Sequence, residues 1–210
     1  MDECKQLFER IDKALVQEMP VVEFPGRIVV VQSAVEAERA VAVLSRQARV
    51  GFDTETRPSF RRGHAHKVAL MQISTADLCF LFRLNMIGMP PVVADFLADD
   101  NVGKVGLSLK DDFLMLRERS ESPCRGFIDL QEYVQPLGVK DLSLQKLYAN
   151  FFGQRISKSQ RLTNWEADVL TDRQKQYAAI DAWACLRLYD EITRLRESGN
   201  WRTVQLTAGS

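Results

Sequence analysis

An excess of charge of either sign is missing from this chain, which carries 28 Lys plus Arg against 28 Asp plus Glu in 210 residues. A global pull toward polyanions or membrane surfaces is therefore excluded, and any polyanionic partner must be met by a local patch. Histidine is scarce, and the four cysteines, Cys4, Cys79, Cys124 and Cys185, stand far apart. Such spacing makes neither a zinc site nor a redox pair, so they read as reduced thiols and the expected compartment is cytoplasmic. No apolar run reaches the length of a membrane span, and the amino terminus lacks the continuous apolar core of a secretory leader. Repeats, low-complexity stretches and linkers are also absent, so the length fits one well-buried domain.

What is present is 46% hydrophobic and 27% charged, the balance of an ordinary globular protein. Leu7, Phe8, Ile11, Leu15 and Val16 predict a helix over residues 2–18, stopped by Pro20 and Pro25. A β-branched strand follows over 27–32, then a helix opened by Ser33 and Glu36 as a capping box. Strands are predicted over 50–55, 68–73 and 78–82, and their short connections require an antiparallel portion of sheet. Pro90 and Pro91 open another helix, a strand over 103–107 and a helix over 111–119 follow, and a strand at 126–130 precedes mostly helix. Alternation of this kind gives an α/β fold, a mixed sheet flanked by helices.

The acids carry the chemistry. Asp53 and Glu55 lie two apart on an expected strand, so both project from one face. Two acids held side by side repel unless a proton or a multivalent cation intervenes, and oxygen donors suit magnesium or manganese. The plainer alternative is a strand end with solvated acids. Asp111 and Asp112 fall where strand gives way to helix, and one of them can cap that helix while the other faces a cleft. Farther on, QKQYAAIDAWACLRL sets Tyr177 and Asp181 four apart, on a helix face otherwise made by Ile180, Ala184 and Leu188. A carboxylate there is costly to bury unless it is paired or binds a cation, and an arginine or a helix amino terminus would also serve.

The blocks FDTET, KVALMQIS, KVGLSLKDDFLML, KSQRLTNW and LTDRQKQYAAIDAWACLRLYD, in that order, resemble the DEDDy family of 3′–5′ exonucleases. The likeness is nearer to the Werner-type exonuclease domains than to ribonuclease D or polymerase proofreading domains. An ordered set of blocks is far more specific than any one of them. The resemblance implies a ribonuclease H-like fold, with residues 26–198 as the exonuclease domain; 1–25 read as an N-terminal helix and linker, and 199–210 as a disordered tail. It implies that Asp53, Glu55, Asp112 and Asp181 hold two divalent cations, Mg2+ or Mn2+, and that Tyr177 joins them, either orienting the attacking water or acting as its general base. Within the second block either Asp111 or Asp112 can be the ligand, and the spacing from the KVG start favours Asp112. The implied reaction releases nucleoside 5′-monophosphates from a nucleic acid with a free 3′ end, DNA favoured over RNA. Competing readings are a ribonuclease D-like RNA 3′-end processing enzyme, a catalytically silent nucleic-acid-binding module on the same fold, and a two-metal phosphohydrolase acting on small molecules.

Substrate must reach a neutral protein through local charge. Arg57, Arg61, Arg62 and Lys67 in the loop after the first acids, with Lys158 and Arg161 ahead of the last helix, are the expected nucleic-acid-binding residues. His64 and His66 read as polar loop residues, and Phe60 either stacks on a terminal base or packs back on the domain. Trp165 is expected in the core, and Asp129 reads as a cap.

Overall fold

Runs rich in Val, Ile and Phe become the strands, and runs with apolar residues three and four apart become the helices. The computed structural model describes residues 4–59 and 66–205. In chain order, β1 (Lys5–Phe8) and α1 (Lys13–Glu18) lead into β2 (Arg27–Val31), α2 (Ala34–Leu44) and β3 (Arg49–Thr56). Then come β4 (Val68–Ser74), β5 (Leu78–Phe82), the one-turn α3 (Leu84–Ile87), α4 (Pro91–Ala98) and β6 (Gly103–Gly106). The chain continues through α5 (Leu109–Arg117), β7 (Phe127–Asp129), the one-turn α6 (Leu130–Tyr133), α7 (Leu144–Phe152), α8 (Asp172–Ser198) and β8 (Trp201–Val204).

Six of the strands form one sheet in the order β2-β5-β4-β3-β6-β7, in which β4 alone runs antiparallel to its neighbours. The tight connections on either side of β4 produce this reversal, as the sequence predicts. Alternation along β3 decides what each face receives. Val50 and Phe52 enter the core layer built with α2, α4 and α5. Gly51, Asp53 and Glu55 therefore face the opposite layer, where α8 lies. A register shift between Glu55 and Thr56 marks a bulge in the β3–β4 ladder, a device that re-aims side chains at a strand end.

The helix α8 spans 27 residues and is set firmly at both ends. Thr171 accepts from the Gln174 backbone N–H while the Gln174 side chain accepts from the Thr171 backbone N–H, and Gly199 ends the helix in the left-handed conformation. Its small residues Ala178, Ala179 and Ala182 are buried, which lets the helix backbone come down onto the sheet. The approach is closest at Gly51, where a Cβ would stand 1.9 Å from the Ala182 carbonyl oxygen.

Two local expectations fail at the chain ends. Residues 2–18 are not one helix: Lys5–Phe8 is a strand, and α1 is the shorter helix that Asp12 caps by accepting from the Ala14 N–H. The tail is not wholly irregular either, because Trp201–Val204 pairs in parallel with β1. A partner nearly the whole chain away supplies the ladder bonds, and no local window reads that. Asn150 completes the strand by accepting from the Phe8 N–H and donating to the Phe8 carbonyl.

Because Gly51 has ordinary backbone angles, only space constrains it. Gly51→Ala is expected to lift α8 from the sheet and to cost about 1–3 kcal/mol, the usual range for overpacking. Urea unfolding checks this, and an unchanged midpoint would contradict the packing described for α8.

Candidate active site

Strand polarity brings the acids together. β3, β6 and β7 are parallel neighbours, so their carboxyl ends open on one edge of the sheet, the usual place for a site in such sheets. Asp53 and Glu55 lie toward the end of β3, and α8 crosses above and lowers Asp181 onto them. One oxygen from each of the three carboxylates lies within 4.8 Å of the others. Asp181 is only 7% exposed, despite its charge.

Thr54 points to the other face of β3, and its hydroxyl donates to the Asp112 carboxylate on α5. Asp112 thus stands beside the trio without joining it. Of the adjacent acids, Asp112 is partly buried next to Asp53, whereas Asp111 is exposed. Asp129 fixes where α5 begins. Its carboxylate accepts from the Ser108 and Leu109 backbone N–H groups at the start of α5 and from the Gln131 N–H as the cap of α6. The capping role expected of it is observed, and it holds Ser108 in a left-handed conformation at φ 60°.

The electrostatics are strained. Burial, then the nearby Asp181, Asp112 and Glu55 carboxylates, push Asp53 well above the usual carboxylate range. Burial and Asp181 raise Glu55 to about 9 against the pull of Arg161. Burial raises Asp181 to about 7, opposed by the Tyr177 hydroxyl bonded to it and by Lys158. Asp112 rises to about 6 through burial, opposed by the Thr54 hydrogen bond. The Tyr177 phenol is pushed far up by burial and by the same acids, so it stays neutral and acts as a donor. Oxygen-only donors that repel one another in a confined space fit a hard divalent cation such as Mg2+ or Mn2+.

Asp53, Glu55 and Asp181 line a cavity of about 430 Å3, together with Tyr177. Lys158 and Arg161, both exposed, stand at its wall as expected, with Leu107, Leu144 and Ile156 giving it an apolar side. Arg57 and Lys67 have partners within the protein. Arg57 donates to Glu166, whose other carboxylate oxygen lies 3.4 Å from His66 Nδ1, and the Lys67 ammonium donates to the Glu118 carbonyl. Arg61, Arg62, Phe60 and His64 lie outside the described residues. Trp165 is fully buried, with its ring 6.0 Å from that of Tyr177.

Four participants escaped the sequence reading: Thr54, Ser108, Glu166 and Gln72. The last left a signal, a lone amide in the apolar run VALMQIS. It is fully buried on β4 and both its polar atoms lack hydrogen-bond partners.

Residues 28–197 match the 3′–5′ exonuclease family of the DNA polymerase A type. The chain is 28% identical over 199 residues to the mouse bifunctional 3′–5′ exonuclease/ATP-dependent helicase WRN, covering 90% of this chain and 14% of that protein. It is 31% identical over 159 residues to ribonuclease D of Haemophilus influenzae, covering 74% of this chain and 39% of that one. The chain therefore spans well under half the length of either relative. The crystal structure of the Aedes aegypti Nibbler EXO domain superposes with a TM-score of 0.75 at 22% identity, covering 83% of this chain and 91% of that domain. That likeness shows the ribonuclease H-like fold. With the family match covering most of the chain, it belongs to the 3′–5′ exonucleases, hydrolases that cut phosphodiester bonds in nucleic acids.

Proposed function

We propose that the chain removes nucleotides from the 3′ end of a nucleic acid, DNA in preference to RNA, releasing nucleoside 5′-monophosphates with the help of two divalent cations. The observation that carries this reading is the buried trio of Asp53, Glu55 and Asp181, with the Tyr177 hydroxyl bonded to Asp181 at one wall of a nucleotide-sized cavity. Asp53, Glu55 and Asp181 would hold the cations, Mg2+ or Mn2+, with Asp112 supporting one of them from α5. Bound there, such ions supply charge stabilisation for the attacking and departing oxygens of the phosphodiester.

The chain's own residues do the rest. Tyr177 stays protonated, so its part is to orient the attacking water by hydrogen bonding, not to take its proton. Lys158 and Arg161 at the cavity wall draw in the phosphate and offset its charge. Leu107, Leu144 and Ile156 accept the apolar faces of the terminal nucleoside. Residues 26–198 are the catalytic unit in this reading, in agreement with a family match over 28–197, and 1–25 and 199–210 flank it. The four cysteines are free thiols, which supports a reducing, cytoplasmic setting.

A second reading has a specific observation behind it: 31% identity to a ribonuclease D favours an enzyme that trims RNA 3′ ends. Matched 5′-labelled DNA and RNA strands decide between them. Faster shortening of the DNA supports the first reading, and faster shortening of the RNA supports the second. Asp53→Ala is expected to lower the rate by about three orders of magnitude, equivalent to several kcal/mol of lost transition-state stabilisation. Tyr177→Phe is expected to cost about 10–100-fold in kcat while leaving the pH profile unmoved, since the phenol does not titrate in the working range. A shifted alkaline limb would instead make Tyr177 the base.

Stability without metal carries the signature of the raised acids. The folded state keeps protons that the unfolded chain releases, so this contribution is fully present below the unfolded carboxylate range of about 4. It is lost as pH rises through about 6 for Asp112, about 7 for Asp181 and about 9 for Glu55. In a chelator the wild type is expected to melt lower at about pH 8.5 than at about pH 5.5, and Mg2+ or Mn2+ to restore the loss at the higher pH. Asp53→Asn is expected to melt higher than wild type at the alkaline pH in chelator and to respond less to either ion. Equal melting of the two proteins across that range would contradict the mutual repulsion of the acids.

A further inference from the structure

Gln72 is the one residue of β4 whose side chain has no evident reason to be polar. It is fully buried, and neither its Nε2 nor its Oε1 has a hydrogen-bond partner. Its position explains what it is aimed at. In the ladder Gln72 stands directly opposite Asp53 on one side and opposite Leu81 on the other. Residues directly opposite share a face and lie within side-chain reach, so all three project toward α8. Leu81 offers the amide nothing. Asp53 offers a carboxylate whose charge the Thr54 backbone N–H favours and three neighbouring acids oppose.

An unpaired amide beside an under-donated carboxylate is an incomplete arrangement. Carboxylates that ligate cations are themselves held by outer hydrogen bonds, which set their orientation. We infer that Gln72 is a positioning residue for Asp53: its amide donates to the Asp53 carboxylate when that carboxylate is engaged by a cation, fixing the carboxylate's orientation. The inference rests on the proposed metal-binding role of the acids and adds to it a residue that touches neither substrate nor ion. It accounts for a buried amide that contributes no hydrogen bond to the fold as it stands.

The test is a separation of stability from ion affinity. Gln72→Met keeps the volume and removes the amide. In chelator the variant is expected to unfold at a temperature equal to or above that of wild type, because an unsatisfied polar group has been removed. Titrated with Mg2+ or Mn2+ and followed by thermal shift, it is expected to need about tenfold more ion for half its stabilisation, the usual scale for losing an outer hydrogen bond. A purely structural amide would lower the melting point in chelator and leave the ion midpoint where it was, and that result overturns the inference. Absence of any ion response in wild type would sink the reading of the acids as well, which distinguishes the two failures.

A measurement on wild type guards against a variant that does not fold. The side-chain amide protons of Gln72, assigned by NMR, are expected to shift and to exchange more slowly with solvent on addition of Mg2+. Amide signals that stay put while Asp53 responds to the ion would also overturn the role assigned to Gln72.

Discussion

Asp53 and Asp181 are forced into the same small volume, and the repulsion between them shapes everything around the site. Neither strand nor helix alone creates it. The two carboxylates meet because α8 descends onto β3 at Gly51, where the Ala182 carbonyl leaves no room for any side chain. The alanines of α8 permit that descent, and the capping box at Thr171 fixes the end of the helix from which Tyr177 and Asp181 are reached. Burial then removes the water that would otherwise screen the pair, so their protons are held more tightly. A fold that spends stability to keep acids apart from solvent has a use for their charge.

The same economy appears in the hydrogen bonding. Among the described residues, the buried side-chain atoms without partners belong to Gln72 and Trp165. Each such atom typically costs about 1–3 kcal/mol, so a fold selected for stability alone would remove them. One lies opposite Asp53 in the ladder, and the other's ring packs near Tyr177. Elsewhere the polar groups are well matched. The buried Arg83 donates to the Ala167 and Asp168 carbonyls, and the buried Lys104 donates to the Asp99 and Arg125 carbonyls. Incomplete pairing is thus concentrated beside Asp53 and Tyr177.

Much of this is legible in the sequence, and the limits are physical. The spacing of Asp53 and Glu55, and of Tyr177 and Asp181, translates directly into shared faces, because strand and helix periods are fixed by the backbone. Asp129 and Trp165 followed from their chemistry in the same way. What escaped depends on partners distant in sequence. Lys5–Phe8 forms a strand only because Trp201–Val204 lies beside it, and Leu7 and Ile11 fit a helical spacing equally well. Lys67 donates to the Glu118 carbonyl and Arg57 to Glu166, partners that lie 51 and 109 residues away in the chain. Composition reports charge in a loop; it does not report which carbonyl or carboxylate lies nearby.

β3 itself shows how few residues govern the site. Alternation sends Asp53 and Glu55 toward α8 and Thr54 toward α5, so three consecutive residues address both layers of the fold. The Thr54 hydroxyl is what ties Asp112 to the strand that carries the trio, and Asp129 sets the start of the helix from which Asp112 projects. Displacing that helix start would rotate Asp112 away from Thr54, since each residue along a helix turns the side chain by about 100°. The fourth acid therefore depends on a cap outside the cavity and on a hydroxyl between the first two acids. Its weaker upward shift, to about 6, follows from that hydroxyl, which stabilises the charged form of Asp112, whereas Asp53 has a single backbone donor against three neighbouring acids.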